Sequence, residues 1–259
     1  MFLKDTHPDN VGCKCCGASA RLYGACDLNK NCMELQGKFL PPSGIPVSYY
    51  RCPACGFIFS TDFDDATPEE LKENIYNDGY PEVDPDYASV RPSGNTELIS
   101  DVFSKYKNEI SILDYGGGNG ALQNGLKNIG FSDVTTFDPF HEEYAERPNG
   151  AFHLVVSFEV IEHVPTPYET FEDLMSFLDK SEGMIMFSTL VQPPDIDNVK
   201  TGWWYISPRN GHISIHTFQS LNIVLSRLGY RFASANPNLH FAYRDIPAFA
   251  RHLFGGQFI

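Results

Sequence analysis

Past Cys55 the chain has no cysteine: all 7 fall between Cys13 and Cys55. A disulfide framework spanning the protein is thereby excluded, and cysteine chemistry is confined to the amino-terminal part. Long apolar runs are missing too, since no stretch approaches the roughly 18 uninterrupted apolar residues of a membrane span. Basic residues are scarce: 19 Lys and Arg stand against 33 Asp and Glu, a formal net charge of −14. Phosphate binding depends on clustered Lys and Arg, and no such run is present, so no general affinity for nucleic acid is expected. The start, Met1 to Asp9, lacks the apolar core of a secretory signal, and a cytoplasmic location is the expectation. There is no internal repeat and no low-complexity stretch. What remains, 259 residues with 42% hydrophobic and 14% aromatic content, suffices for one main domain with a sizeable core and a small appendage.

The most informative stretch is Asp114-Tyr115-Gly116-Gly117-Gly118-Asn119-Gly120, where an apolar strand, Ile110 to Leu113, hands over to a helix starting near Ala121. Glycine there opens backbone angles closed to other residues and lets the chain approach a ligand closely. Gly116-x-Gly118-x-x-Ala121 also fits the dinucleotide fingerprint, in which a pyrophosphate rests on a helix N-terminus. A carboxylate in the turn instead favours a ligand with an α-ammonium group and no phosphate, such as S-adenosylmethionine, and Asp114 tips the balance that way. A second strand, Asp133 to Phe137, ends in Asp138, 20 residues beyond Gly118, where an acid can hold two ribose hydroxyls. Both ligands need that acid.

Phe152 to Phe158 reads as a buried strand and is followed by Glu159-Val-Ile-Glu162-His163-Val-Pro165. This strand with its E-x-x-E-H-V tail resembles the fourth-strand motif of class I S-adenosylmethionine-dependent methyltransferases, notably the ubiquinone-biosynthesis-like and sugar-methylating branches. The resemblance covers about Ile110 to Phe232. It implies an α/β, Rossmann-like fold with a mostly parallel seven-stranded sheet. It also implies that Asp114, Gly116 and Gly118 approach the methionine part of the cofactor and Asp138, with Pro139 beside it, the ribose. Phe158 and Glu159 join the cofactor set, and Glu159 to His163 form the floor beside the transferred methyl. One departure concerns Pro139 to Ala151, too short for the usual helix plus third strand, so the family's adenine contact has no place in this sequence.

The cysteines form two knuckles, Cys13-x-x-Cys16 and Cys52-x-x-Cys55, with 35 residues between them and a glycine, Gly17 or Gly56, after each. Such pairs supply four thiolates for a structural Zn²⁺ at about 2.3 Å. Cys15 could replace Cys13 or Cys16, while Cys26 and Cys32 read as ordinary buried thiols. A short zinc-ribbon-like module before this core resembles bacterial enzymes that methylate deoxysugars attached to nucleotides. The expected organisation is a zinc module over 1–62, an aromatic and acidic linker or lid over 63–97, and the methyltransferase domain over 98–259.

In the linker, Thr67 caps and Pro68 opens a short helix through about Asn74. Tyr76, Tyr80, Tyr87 and Arg91 follow; they are either lid residues, with Tyr87 and Arg91 against the cofactor, or parts of a solvated connector. Downstream, Leu190 to His216 is a long loop after the fifth strand and holds both tryptophans. His212 takes the family's histidine position there, as general base or as an organiser of the loop, and His163 is the second catalytic candidate. The expected reaction is methyl transfer to a small polar acceptor, a hydroxyl or carbon of a sugar or sugar nucleotide. Methylation of RNA or protein guided by the zinc module, and a non-catalytic cofactor-binding scaffold, are the competing readings.

Overall fold

The computed structural model describes residues 7–255. In chain order it contains β1 (Asn10–Gly12), β2 (Ser19–Asp27), β3 (Pro46–Arg51), β4 (Ile58–Ser60), α1 (Pro68–Asn74), α2 (Tyr80–Val83) and α3 (Val90–Phe103). These are followed by β5 (Ser111–Tyr115), α4 (Ala121–Asn128), β6 (Asp133–Phe137), β7 (Leu154–Phe158), α5 (Pro167–Ser176), β8 (Met184–Ser188) and α6 (Ile196–Val199). β9 (Ser214–Ile215), α7 (Phe218–Arg227), β10 (Arg231–Ser234) and β11 (Leu239–Tyr243) complete the set, with short 3-10 turns between. Two compact units interleave along the chain. Among the described residues the first comprises 7–85, 161–170 and 190–224, the second 86–160, 171–189 and 225–255. These units differ from the linear division at 62 and 97.

The second unit is built on a six-stranded sheet of order β10-β11-β8-β7-β5-β6. Its centre is parallel: β5 pairs with both β6 and β7, and β7 with β8. β11 and β10 add an antiparallel edge. β8 is buried at every residue and β7 at all but its last. That explains why Leu154-Val-Val and Met184-Ile-Met-Phe read as continuous apolar runs, as parallel strands covered on both faces require. Ile99 and Phe103 of α3 and Leu122 and Leu126 of α4, each pair four residues apart, bring one apolar face onto Ile112, Leu154 and Met184.

Six strands stand here where the family pattern led to an expectation of seven. The physical reason is length: after β6 the chain forms only a 3-10 turn, Glu142–Tyr144, before an isolated bridge at Phe152 and the start of β7. A helix and a further strand do not fit in that span.

The first unit carries a five-stranded antiparallel sheet of order β1-β2-β3-β4-β9. β3 and β4 form an antiparallel hairpin around the second cysteine knuckle. β9 comes from far down the chain and pairs Ile58 with Ile215 and Phe59 with Ser214. The long segment after β8 is therefore part of this sheet's architecture. Gln192 Nε2 donates to the carbonyls of Gly56 and Ile215 at 2.9 and 2.8 Å, and Lys30 Nζ to that of Trp203 at 2.8 Å. Val47, Tyr49, Ile58, Ile206, Ile213 and Ile215 meet in its core.

Helix α1 begins as its sequence dictates, with a capping box in which Thr67 Oγ1 accepts from Glu70 N–H at 3.2 Å and Glu70 Oε2 from Thr67 N–H at 3.0 Å. It stops at Asn74, so Tyr76 and Tyr80 do not share its face, yet their rings lie 5.3 Å apart. Phe187 is fully buried in β8. Phe187→Ala is expected to cost about 3–5 kcal/mol of stability in urea denaturation.

Candidate functional site

In the second unit the turn between β5 and α4 is made by glycines in the left-handed region: Gly116, Gly118 and Gly120 have φ of 74°, 55° and 71°. The reasons for glycine differ along the turn. A Cβ on Gly116 would lie 2.5 Å from Val160 Cγ2, and one on Gly120 would lie 2.4 Å from the Tyr144 ring. At Gly118 a Cβ would meet open space, which marks the side of the turn a ligand can approach. Gly117 covers Asp114 so closely that a Cβ there would stand 2.0 Å from Asp114 Oδ2.

Asp138, at the end of β6, accepts from Gly118 N–H through Oδ2 and from Phe140 N–H through Oδ1, both at 2.8 Å. The acid expected near a ribose thus also braces the glycine turn. Asp114 is 3% exposed, and its Oδ2 has no hydrogen-bond partner among the described residues. Burial, followed by the neighbouring Asp138 carboxylate, pushes the Asp114 carboxyl up to about 7. A cation seated on the turn would favour its ionised form, so the residues present fit a ligand carrying positive charge and a diol. Pro139 lies exposed beside Asp138, while Phe158, half-buried, ends β7.

Glu159 follows Phe158 with φ 55°, one of two non-glycine residues in the left-handed region among those described. Its N–H donates to Ser188 Oγ at 2.9 Å, and the same hydroxyl donates to Glu159 Oε1 at 2.7 Å. Strained backbone of this kind costs about 1–3 kcal/mol and concentrates at functional sites. Ser188, at the carboxyl end of β8, escaped the sequence reading. Its location at a strand's carboxyl end, where open α/β sheets place their ligands, was the available signal.

The first unit gathers a second cluster from Glu162, His163 and His212, whose ligand atoms lie within 4.8 Å of one another. Glu162 is fully buried and His212 is 6% exposed. His163 Nε2 lies 4.0 Å from Glu162 Oε1, which accepts from Tyr205 O–H at 2.6 Å. His163 Nδ1 is 3.2 Å from Tyr76 Oη, and the two imidazoles are 4.9 Å apart. His212 Nδ1 is 2.9 Å from the Tyr205 carbonyl. A carbonyl can only accept, so Nδ1 carries the hydrogen and Nε2 is the lone-pair nitrogen of the neutral ring. Gly211, with φ 84°, admits this packing: a Cβ there would fall 2.7 Å from Tyr76 Oη and 3.0 Å from His163 Nδ1. Tyr205 carries no mark in the sequence, and its bond to Glu162 follows from no local pattern.

Of the remaining candidates, Tyr80 Oη bonds Asp84 at 3.2 Å in the first unit. Tyr87 is 44% exposed just ahead of α3, and Arg91 lies in that helix's first turn. The knuckle cysteines converge in the first unit. Cys13 and Cys55 Sγ are 3.6 Å apart, Cys16 and Cys52 3.4 Å, and all four lie within 4.8 Å of one another. The knuckles repeat one geometry, with Gly17 N–H donating to Cys13 C=O and Gly56 N–H to Cys52 C=O, both at 2.8 Å. Cys15 is buried outside the group of four, and burial drives its thiol well up. Cys26 and Cys32 are half-buried, and Cys32 Sγ stands 3.8 Å from His212 Nδ1.

A parallel sheet with a glycine turn after β5 and an acid at the end of β6 defines a Rossmann-like adenosyl-binding fold. Residues 87–235 match the family described as "Methyltransferase domain", and the chain belongs to it, as an S-adenosylmethionine-dependent methyltransferase. Its structure is similar to that of an O-methyltransferase family protein from Burkholderia thailandensis (12% identity, 68% of this chain and 63% of that chain covered, TM-score 0.51). It is also similar to the mitomycin 7-O-methyltransferase MmcR (9% identity, 68% and 60% covered, TM-score 0.50). A third similar structure is magnesium protoporphyrin IX methyltransferase from Synechocystis PCC 6803 with bound S-adenosylmethionine (15% identity, 70% and 92% covered, TM-score 0.44). No curated protein matches the chain. No described helix is long and apolar enough to cross a membrane.

The raised carboxyl of Asp114 has a sign that can be checked. Its folded-state value, about 7, exceeds the ordinary aspartate value of 3.8. The unfolded chain therefore binds fewer protons in that window, and ligand-free stability falls as pH rises from about 4 to about 7. Denaturation midpoints across this range are expected to show that decline in the wild-type protein and a flatter profile in Asp114→Asn.

Proposed function

We propose that the protein methylates a hydroxyl or carbon of a sugar or sugar nucleotide, with the second unit holding the cofactor and the first binding the acceptor. S-adenosylmethionine supplies an electrophilic methyl on a sulfonium. On this reading the turn Gly116 to Gly120 and the buried charge of Asp114 receive the methionine end, Asp138 and Pro139 the ribose, and Phe158 and Glu159 complete the set. Tyr87 and Arg91 close over the cofactor. To bind a ribose, Asp138 exchanges part of its hold on the glycine turn for the two hydroxyls.

The observation that carries the acceptor assignment is the buried polar cluster of the first unit. His212 accepts the acceptor's proton at Nε2, because its Nδ1–H is committed to the Tyr205 carbonyl. His163, steadied by Tyr76, is the second candidate for that proton. A hydroxylated acceptor suits the tyrosine, histidine and glutamate side chains of this cluster better than an apolar one does. The fold itself does not choose the substrate.

Calorimetry with S-adenosylmethionine is expected to show binding that Asp138→Ala weakens by roughly 10- to 100-fold, the worth of a charge-assisted hydrogen-bond site. No binding at roughly millimolar ligand, corresponding to about −4 kcal/mol, would remove the cofactor assignment. Mass spectrometry of reactions with a panel of nucleotide sugars then tests the acceptor: a mass gain of one methyl supports it, and modification of RNA or protein alone would replace it.

We also assign a structural Zn²⁺ to Cys13, Cys16, Cys52 and Cys55. Four thiolates fill a tetrahedral shell and leave no open position, so the ion joins two knuckles and takes no part in methyl transfer. Native mass spectrometry is expected to find an equivalent of zinc that Cys52→Ser loses and Cys15→Ala keeps.

A further inference from the structure

The buried cluster of the first unit has a second chemical capacity. We propose that Glu162, His163 and His212 bind a divalent first-row transition-metal ion, distinct from the one at the cysteines, with coordination positions left open to an acceptor oxygen. Two imidazoles and one carboxylate are the donor set of open, reactive metal sites, in contrast to the closed four-thiolate kind.

Three features of the structure argue for a built site. The ligand atoms already stand within 4.8 Å of one another although they come from separate segments, residues 162–163 and 212. Each side chain is also oriented by a second contact. His212 is held by the Tyr205 carbonyl at 2.9 Å through Nδ1, which leaves the lone pair on Nε2, the arrangement that fixes a metal-binding histidine. Glu162 is held by Tyr205 O–H at 2.6 Å, and His163 by Tyr76 Oη at 3.2 Å. Finally, Glu162 is fully buried, and a buried carboxylate calls for compensating positive charge. His163 Nε2 lies 4.0 Å from its Oε1. A divalent ion among the three would supply that charge directly.

The consequence concerns the proton. A hydroxyl bound to such an ion becomes acidic enough to lose its proton to solvent near neutrality, leaving a metal-bound alkoxide. Metal binding and proton acceptance use the same lone pair on His212, so in the metal-loaded protein the ion takes over the acidifying role. The metal assignment stands on the cluster alone, while the identity of the open-position ligand rests on the methyl-transfer reading above.

The test uses the full-length, zinc-replete protein and Co²⁺ alone as probe, followed by visible absorption. One added equivalent of Co²⁺ is expected to give d–d bands without thiolate-to-metal charge transfer, showing a nitrogen and oxygen site. Its affinity is expected to fall by about 100-fold or more in His163→Gln and His212→Gln, and by about 10- to 100-fold in Tyr205→Phe, which removes only an orienting contact. His163, part-exposed, serves if the buried His212 variant fails to fold, as judged by circular dichroism. Three outcomes overturn the proposal: no added Co²⁺ bound, a thiolate-type spectrum alone, or undiminished affinity in folded His163→Gln. Calorimetry with S-adenosylmethionine on the same samples keeps the two readings apart, since cofactor binding without the Co²⁺ site defeats only the metal assignment. Co²⁺ bound without cofactor binding defeats only the methyl-transfer reading.

Discussion

The hydroxyl of Ser188 governs how the chain leaves β7. It accepts from the Glu159 amide and donates to the Glu159 carboxylate, closing a small ring that holds a non-glycine residue at φ 55°. Without such over-determination a glutamate would not stay in the left-handed region. The E-x-x-E-H motif is divided between the two units at this turn. Glu159 remains tied to the strand ends of the second unit, while Glu162 and His163, a few residues on, join the first unit and its histidine cluster. One local interaction thus fixes the backbone just before the motif passes from one unit to the other.

The first unit's cluster depends in turn on where the segment after β8 goes. β9 docks on β4, the Ile213 amide donates to the Glu162 carbonyl at 2.9 Å, and Ser214 Oγ to that of Val164 at 2.6 Å. These bonds bring His212 to Glu162 and His163 within a single unit. Glycine 211 completes the arrangement because any side chain would collide with Tyr76 and His163. Thr217 Oγ1, donating to the Cys55 carbonyl at 2.7 Å, ties the same segment to the second cysteine knuckle.

What the sequence disclosed was carried by local motifs and their spacing. The glycine turn and the Thr67 cap depend on contacts among near neighbours, and Asp138 and the two knuckles, though they meet distant partners, each carry a spacing readable as a pattern. The strand count failed where a family template outweighed the residue count over 139–151. Cys15 was ambiguous because three close cysteines offer two spacings, and only the folded knuckle, with Gly17 N–H on the Cys13 carbonyl, sets Cys13 and Cys16 into the group of four. The bond from Tyr205 to Glu162 and the meeting of three ligand side chains were invisible, because they are made by tertiary pairing between segments about fifty residues apart. The burial that lifts the Asp114 carboxyl was hidden for the same reason: a motif shows an acid and not the dielectric around it.

The pairing of β9 with β4 also sets a timetable. β1 to β4 and both knuckles lie within the first 60 residues, but their sheet lacks its last strand until residues 214–215 have been made. At translation rates of about 5–20 residues per second, that interval lasts roughly 8–30 s. Throughout it β4 presents an unpaired edge, the kind of surface that recruits foreign strands. A nascent chain that stalls on the ribosome before this point would carry an unfinished sheet, and the hazard of aggregation falls in that window.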